Sequence, residues 1–232
     1  KNMLARGGSL TVLDSKYKSP LHYAASWGDI PMIQWLMAED CPQGYDIKAE
    51  LPIHKTIKHG HHEALEYFLQ TTDFVSGSES KEDLLCFALD HCPDNSCIDV
   101  LENYGADINA VLPAGYTILQ HFLANKETSQ VASLLSEYQG TLDVNGQDTA
   151  GETALYTAVY RGDSEKLRLL LEHGVDPSIT NKNNTSVLEL AKQRDTGEDI
   201  ITLLESSLQR CKRNEPLDDF DDTPNAKRPA VF

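Results

Sequence analysis

One segment constrains this chain more than any other because it recurs. Asp148 to Ser178, DTAGETALYTAVYRGDSEKLRLLLEHGVDPS, reads as a turn, two short helices and a second turn. Asp148 and Gly151 mark the opening turn, Thr153 stands where a helix cap belongs, and Ala154, Leu155, Ala158 and Val159 give the first helix one narrow apolar face. Gly162 and Asp163 break and restart the chain; Leu167, Leu169, Leu170 and Leu171 carry a second helix that closes at Gly174. A unit this short cannot bury its own apolar faces, so it must stack on copies of itself. With Leu155 as anchor, equivalent positions fall at Leu21, Ile53, Leu85, Leu119 and Leu188, giving successive spacings of 32, 32, 34, 36 and 33 residues.

Several motifs recur in phase with this period: SPLHYAASWGD at Ser19 to Asp29, LPIHKTIKHGH at Leu51 to His61, ETALYTAVYRGD at Glu152 to Asp163, and the helix-closing YGADIN at Tyr104 to Asn109 and HGVDPS at His173 to Ser178. A period near 33 with an Asp-x-x-Gly turn and this helix start resembles the ankyrin repeat family, not the 34-residue tetratricopeptide pattern. The resemblance spans roughly residues 3 to 206. It implies an all-α ankyrin repeat solenoid of about six stacked helix-turn-helix units joined by β-hairpin-like turns. In this reading residues 1–13 are the tail of a preceding repeat or an N-terminal cap. The array follows as 14–45, 46–77, 78–111, 112–147, 148–180 and 181–209, and residues 210–232 form an acidic tail. Gly7-Gly8-Ser9 followed by Asp14 has the phase of a closing repeat, so the chain is expected to be a piece of a longer protein.

The repeats differ in quality. Thr71 to Glu82 is expected to be a polar finger, and in the third repeat Cys86 stands where the motif has His, with His91 to Asn95 replacing the usual Gly turn. The fourth repeat has Ile118 in place of Pro and a lengthened inter-helix turn at Lys126 to Ser129. The sixth exposes Lys192, Gln193, Arg194 and Asp195, as a terminal cap requires. In the tail, EPLDDFDDTPNAKRPAVF reads either as a solvated segment or as a short linear motif built on Leu217 and Phe220, with Thr223-Pro224 and the basic pairs Lys212-Arg213 and Lys227-Arg228 beside it.

Five cysteines at irregular spacing favour reduced thiols and hence a cytoplasmic or nuclear protein. The net charge of −16 repels phosphate, which argues against nucleic acid and anionic membrane and predicts a basic partner. No apolar run is long enough to insert in a membrane. Chemistry is sparse: His54, His59, His61 and His62 lack a completing Cys or Asp at metal-ligand spacing, and Cys86, His91, Cys92 and Cys97 lack paired CxxC spacing. No phosphate-binding or HExxH segment occurs, and neither catalytic residues, cofactor nor metal is expected.

What remains is surface. The family resemblance implies that turn tips and the exposed side of the first helices line a groove. The residues just before the inter-helix Gly, Ser26-Trp27, Lys58-His59 and Tyr160-Arg161, with Ala124-Asn125 a weaker equivalent, face that groove; Trp and Arg are enriched in binding hot spots. Turn-tip candidates are Ser15, Lys16, Lys18, Lys48, Glu50, Thr149, Glu152, Lys182 and Asn183. The expected function is a non-catalytic, monomeric scaffold binding a protein or peptide in the groove. Two alternatives stand: a targeting arm of a larger enzyme or secreted effector, and an active site around Cys86 to Cys97.

Overall fold

Four of the repeats, the first, second, fifth and sixth, open with one device. The side chain of Asp14 accepts the backbone N–H groups of Lys16 and Lys18, both at 2.8 Å. Asp46 does the same for Lys48 and Glu50, Asp148 for Ala150 and Glu152, and Asn181 for Asn183 and Thr185. A carboxylate or amide two and four residues upstream thereby satisfies donors that a tight turn leaves unpaired. The expected hairpin-like turns are therefore held by side chains, with an isolated antiparallel bridge between Thr180 and Ser186. Neighbouring tips are joined by backbone bonds from Ile47 N–H to the Lys16 carbonyl (2.9 Å), from Thr149 N–H to Gly115 (3.0 Å) and from Lys182 N–H to Ala150 (3.0 Å).

The third residue after the leading Asp or Asn is left-handed: Tyr17, Ala49, Gly151 and Asn184 have φ of 60°, 56°, 79° and 55°. At Gly151 the requirement is double, because a Cβ there would lie 2.9 Å from the Lys182 backbone nitrogen that makes the tip-to-tip bond. Gly151→Ala is expected to destabilise the fifth and sixth repeats by about 2 kcal/mol, from αL strain plus displacement of that bond. A thermal or urea unfolding midpoint equal to that of the parent chain would refute this.

A computed structural model describes residues 9–71, 80–93 and 96–213. The chain divides into two compact units, Lys1–Ala114 and Gly115–Phe232. In the first, α1 (Pro20–Trp27), α3 (Pro52–Lys58) and α5 (Lys81–His91) pack side by side, and α2 (Ile30–Ala38), α4 (His62–Thr71) and α6 (Ser96–Asn103) form a second layer against them. The anchors Leu21, Ile53 and Leu85 are fully buried between the layers, together with Ala24, Ala25, Leu65 and Leu101. Each large apolar side chain so enclosed contributes roughly 1.5–3 kcal/mol.

His22 explains the sequence motif around it. Its Nδ1 accepts the Ser19 N–H at 3.1 Å, so the proton sits on Nε2, which donates to the Glu50 carbonyl of the next repeat at 3.2 Å. Burial pushes the imidazole pKa down, which keeps this neutral form. His54 repeats the first half, accepting the Leu51 N–H at 2.8 Å. His61 links repeats from the inter-helix turn: its Nε2 lies 3.0 Å from the Ser26 carbonyl, and its ring fills the space a Cβ at Gly28 would need.

The third repeat departs from expectation. The helix begins at Lys81, a turn earlier relative to Leu85 than α1 begins relative to Leu21, because Ser80 and Asp83 form a capping box at the new start. Thr71 ends α4, and Lys81 and Glu82 are helical. The expected finger is thus narrowed to 72–79, which lies outside the described residues, as do 1–8, 94–95 and 214–232 with the expectations attached to them.

In the second unit α7 (Ile118–Asn125), α9 (Ala154–Arg161) and α11 (Val187–Arg194) form one layer, and α8 (Thr128–Glu137), α10 (Ser164–Glu172) and α12 (Glu198–Arg213) the other. Different side chains take over the linking role of His22. Gln120 accepts the Thr117 N–H at 2.8 Å and donates to the Glu152 carbonyl at 3.1 Å. Tyr156, wholly buried, reaches the Thr185 and Ile179 carbonyls at 2.6 and 3.1 Å. Three expectations are corrected. Thr153 stands at the N-cap of α9, but its buried hydroxyl makes no cap bond. The turn in repeat four is short, since Thr128 and Ser129 already belong to α8 and Glu127 with Gln130 caps it. Finally, α12 runs to Arg213, past the expected array end at 209.

Candidate functional site

The second repeat carries a charge cluster that the turn device alone does not need. Lys55 is buried, with its ammonium 2.7 Å from Asp46 Oδ2 and paired also with Glu50 Oε2. Lys58 takes the other Glu50 oxygen at 3.0 Å. Burial opposes ionisation of Asp46, but the Lys55 ammonium and the Glu50 and Lys48 N–H groups outweigh it and hold the carboxyl down at about 2. Glu50 is lowered in the same way: burial raises it, and the two lysines overcome the rise. Glu50, predicted as an exposed turn tip, is therefore buried, because periodicity does not reveal that two lysines of the following helix fold back onto it.

Beside the cluster an open groove of about 670 Å³ is lined by Tyr45, Lys48, Glu50, His54, Phe87 and His91, among others. The His54 and Phe87 rings meet edge to face with centroids 4.4 Å apart, and Phe87 stacks on His91 at 4.3 Å. Repeat one carries a separate exposed aromatic surface. Trp27 is 74% exposed and Tyr23 41%, their rings 6.3 Å apart. The Tyr23 hydroxyl donates to Asp14 at 2.6 Å, which ties α1 to the first turn, and the Lys18 ammonium lies over the Tyr23 ring at 5.6 Å. Tyr17 and Ile47 add exposed apolar side chains at two joined tips.

The predicted residues of the first unit are found in unequal states. Trp27, His59, Lys16 and Lys48 are exposed; Lys18 is half-buried on Tyr23; Lys58 is held by Glu50. Burial, then His61 and Lys58, lower the His59 pKa. The Ser26 hydroxyl is spent on the His22 carbonyl at 2.8 Å. In the second unit the Tyr160 hydroxyl donates to Glu152 at 3.0 Å, Asn181 donates to the same carboxylate oxygen at 3.2 Å, and Arg194 stacks 5.1 Å over the Tyr160 ring, with Arg161 exposed beside it. Sequence reasoning missed Tyr17, Tyr23, Tyr45, Ile47 and Phe87, and considered His91 for chemistry with Cys86, Cys92 and Cys97, not as a groove residue. The signal for two of the missed residues was the position two residues past the anchor: Tyr23 and Phe87 are equivalent, with Lys55 at the same position of the second repeat.

Cys86 and Cys97 are buried in the third repeat, whereas His91 faces the groove with Nδ1 3.2 Å from the Phe87 carbonyl. Among the described residues no three His, Cys, Asp or Glu side chains could together hold a metal, and no helix is long and apolar enough to cross a membrane.

A turn, two antiparallel helices and side-chain links to the next copy define the repeat class, and comparison with known proteins agrees. The ankyrin repeats (3 copies) family matches residues 21–111 and 84–183, so this chain belongs to the ankyrin repeat family. It is 28% identical over 186 residues to the B-cell lymphoma 3 protein homolog of Mus musculus, covering 76% of this chain and 40% of that protein. It is 42% identical over 65 residues to oxysterol-binding protein-related protein 1 of Mus musculus, covering 28% of this chain and 7% of that one. The crystal structure of the ankyrin repeat domain of Bcl-3 superposes with a TM-score of 0.55 at 26% identity, covering 88% of this chain and 90% of that domain. The chain thus spans less than half the length of these two curated relatives. Ankyrin repeat domains are protein-interaction modules, and the fold is typically non-catalytic.

Proposed function

We propose that this chain is a non-catalytic, monomeric module that seats a segment of a partner protein on the turn and first-helix face of its first unit. The observation that carries this reading is Trp27, a large indole left three-quarters exposed beside Tyr23, on the same unit as a groove lined by His54, Phe87 and His91. Exposed aromatic anchors next to a concavity are the arrangement in which a few side chains dominate binding. Tyr160, Arg161 and Glu152 offer the second unit a similar but self-paired surface. The buried thiols Cys41, Cys86 and Cys97 fit a reducing compartment, the cytoplasm or nucleus.

A photo-crosslinking amino acid placed at position 27, 91 or 161, with position 63 on α4 as control, tests the reading in cells that make the protein. Protein adducts at 27 and 91 in excess of those at 63 are expected; equal or greater yield at 63 would refute it. A second reading, that the array is a targeting arm of a longer enzyme or effector, is favoured by the small share of its relatives that it matches. Activity of a parent protein lost on deletion of the array, and restored by a heterologous tether, would support it.

A further inference from the structure

The chain's net charge of −16 predicts a basic partner, but the local charge on the proposed face has the opposite sign. Residues 14–28 and 46–60 carry Lys16, Lys18, Lys48, Lys55 and Lys58 against Asp14, Asp46 and Glu50 only. The carboxylates are also turned to internal use. Asp46 and Glu50 are buried and occupied by Lys55 and Lys58, and Asp14 is taken up by Tyr23 and two backbone N–H groups. At the two tips the exposed charges are those of Lys16 and Lys48, among exposed Tyr17, Ile47, Tyr23 and Trp27; the nearby carboxylates of Asp29 and Asp83 accept from Met32 N–H and from Ser80 as helix caps.

These groups form one surface. The Lys16 carbonyl accepts the Ile47 N–H at 2.9 Å, which brings the Lys16-Tyr17-Lys18 tip against Ile47-Lys48. Asp14 ties Tyr23 to the same tip, and Trp27 lies one helical turn further along α1. The left-handed backbone at Tyr17 and Ala49 belongs to two tight turns, so the backbone positions from which the lysine and aromatic side chains project are set before a ligand arrives. We propose that this face recognises an acidic, apolar linear segment: bulky aliphatic or aromatic side chains packing on Trp27, Tyr17 and Ile47, and interspersed Asp or Glu carboxylates reaching Lys16 and Lys48. Long-range repulsion from the net negative chain slows the approach of such a segment, and contact-range complementarity at the two tips selects it. The proposal rests on the reading of this face as the binding surface and adds the chemistry of the occupant.

The test is a selection of displayed 12-residue peptides on the full chain from three libraries of equal size, with apolar positions alternating with acidic, with basic or with neutral polar ones. Peptides should be enriched from the acidic library. Their affinity should fall at least about tenfold for Trp27→Ala and for Lys16→Glu with Lys48→Glu, and by less for Lys16→Gln with Lys48→Gln. The dissociation rate should also rise as salt is raised, because the contacts at Lys16 and Lys48 are exposed and screened. All substituted side chains are exposed, and an unchanged unfolding midpoint verifies that each variant folds. Enrichment from the basic or neutral library, with binding still lost in Trp27→Ala, overturns the acidic assignment and leaves the binding face standing. Acidic peptides indifferent to both the lysine and Trp27 changes overturn the assignment and the face. No enrichment from any library overturns both.

Discussion

Lys55→Met is expected to cost about 3–5 kcal/mol of stability, far more than removal of a surface lysine. The loss arises because Asp46, whose side chain is fully buried, and Glu50, whose side chain is nearly so, lose the cation lying between them; Lys58 remains for one Glu50 oxygen only. The combined variant Lys55→Met, Asp46→Asn, Glu50→Gln should recover part of the loss, since the cluster's cost lies in uncompensated charge. The pH dependence follows with a definite sign. The Asp46 pKa is depressed from 3.8 to about 2 on folding, so its contribution is present above 3.8 and disappears as pH falls through about 2. Between those limits the parent chain should lose about 2 kcal/mol that Asp46→Asn does not. Urea midpoints for both chains across this interval measure it, and parallel curves would contradict the account.

Tyr156→Ala should cost about 3–5 kcal/mol, the cost of a cavity at a fully buried aromatic. Its effect should extend into the next repeat. The hydroxyl holds the carbonyls of Ile179 and Thr185, the two sides of the turn that starts the sixth repeat, and burial raises its pKa to about 12 so that it stays a donor. Tyr156→Phe keeps the ring and isolates these bonds, at about 1–2 kcal/mol. Hydrogen exchange should show protection in α11 falling in both variants, more in Tyr156→Ala. Loss confined to α9 would mean that the link carries no coupling.

Much of this was legible in the sequence because stacking is a periodic problem. Leu21, Ile53, Leu119 and Leu155 could be aligned from spacing alone, and all are buried. Leu85 was also aligned correctly, but the extra turn before it was hidden, since Ser80 and Asp83 form their cap outside the periodic register. The same loss of register concealed Phe87 and His91: without the usual inter-helix Gly, the third repeat offered no mark for the groove position. Glu50 failed for another reason. Whether a turn-tip carboxylate faces water or is clasped depends on Lys55 and Lys58 on the following helix, and charge pairing of that kind has no period. Trp27 was legible because an indole at a position with no inward duty stands out in any register.

The most direct test of the binding face uses the two tryptophans. Trp27 is exposed on the proposed face, whereas Trp35 is half-buried on α2. Titrating the tightest peptide from the selection into isotope-labelled chain and following the two indole N–H resonances separates them. The account predicts a large shift for Trp27, with backbone shifts at Tyr17, Lys48 and His91, and little change at Trp35 or Glu63. Shifts centred on Trp35 and α4, with Trp27 unmoved, would contradict it.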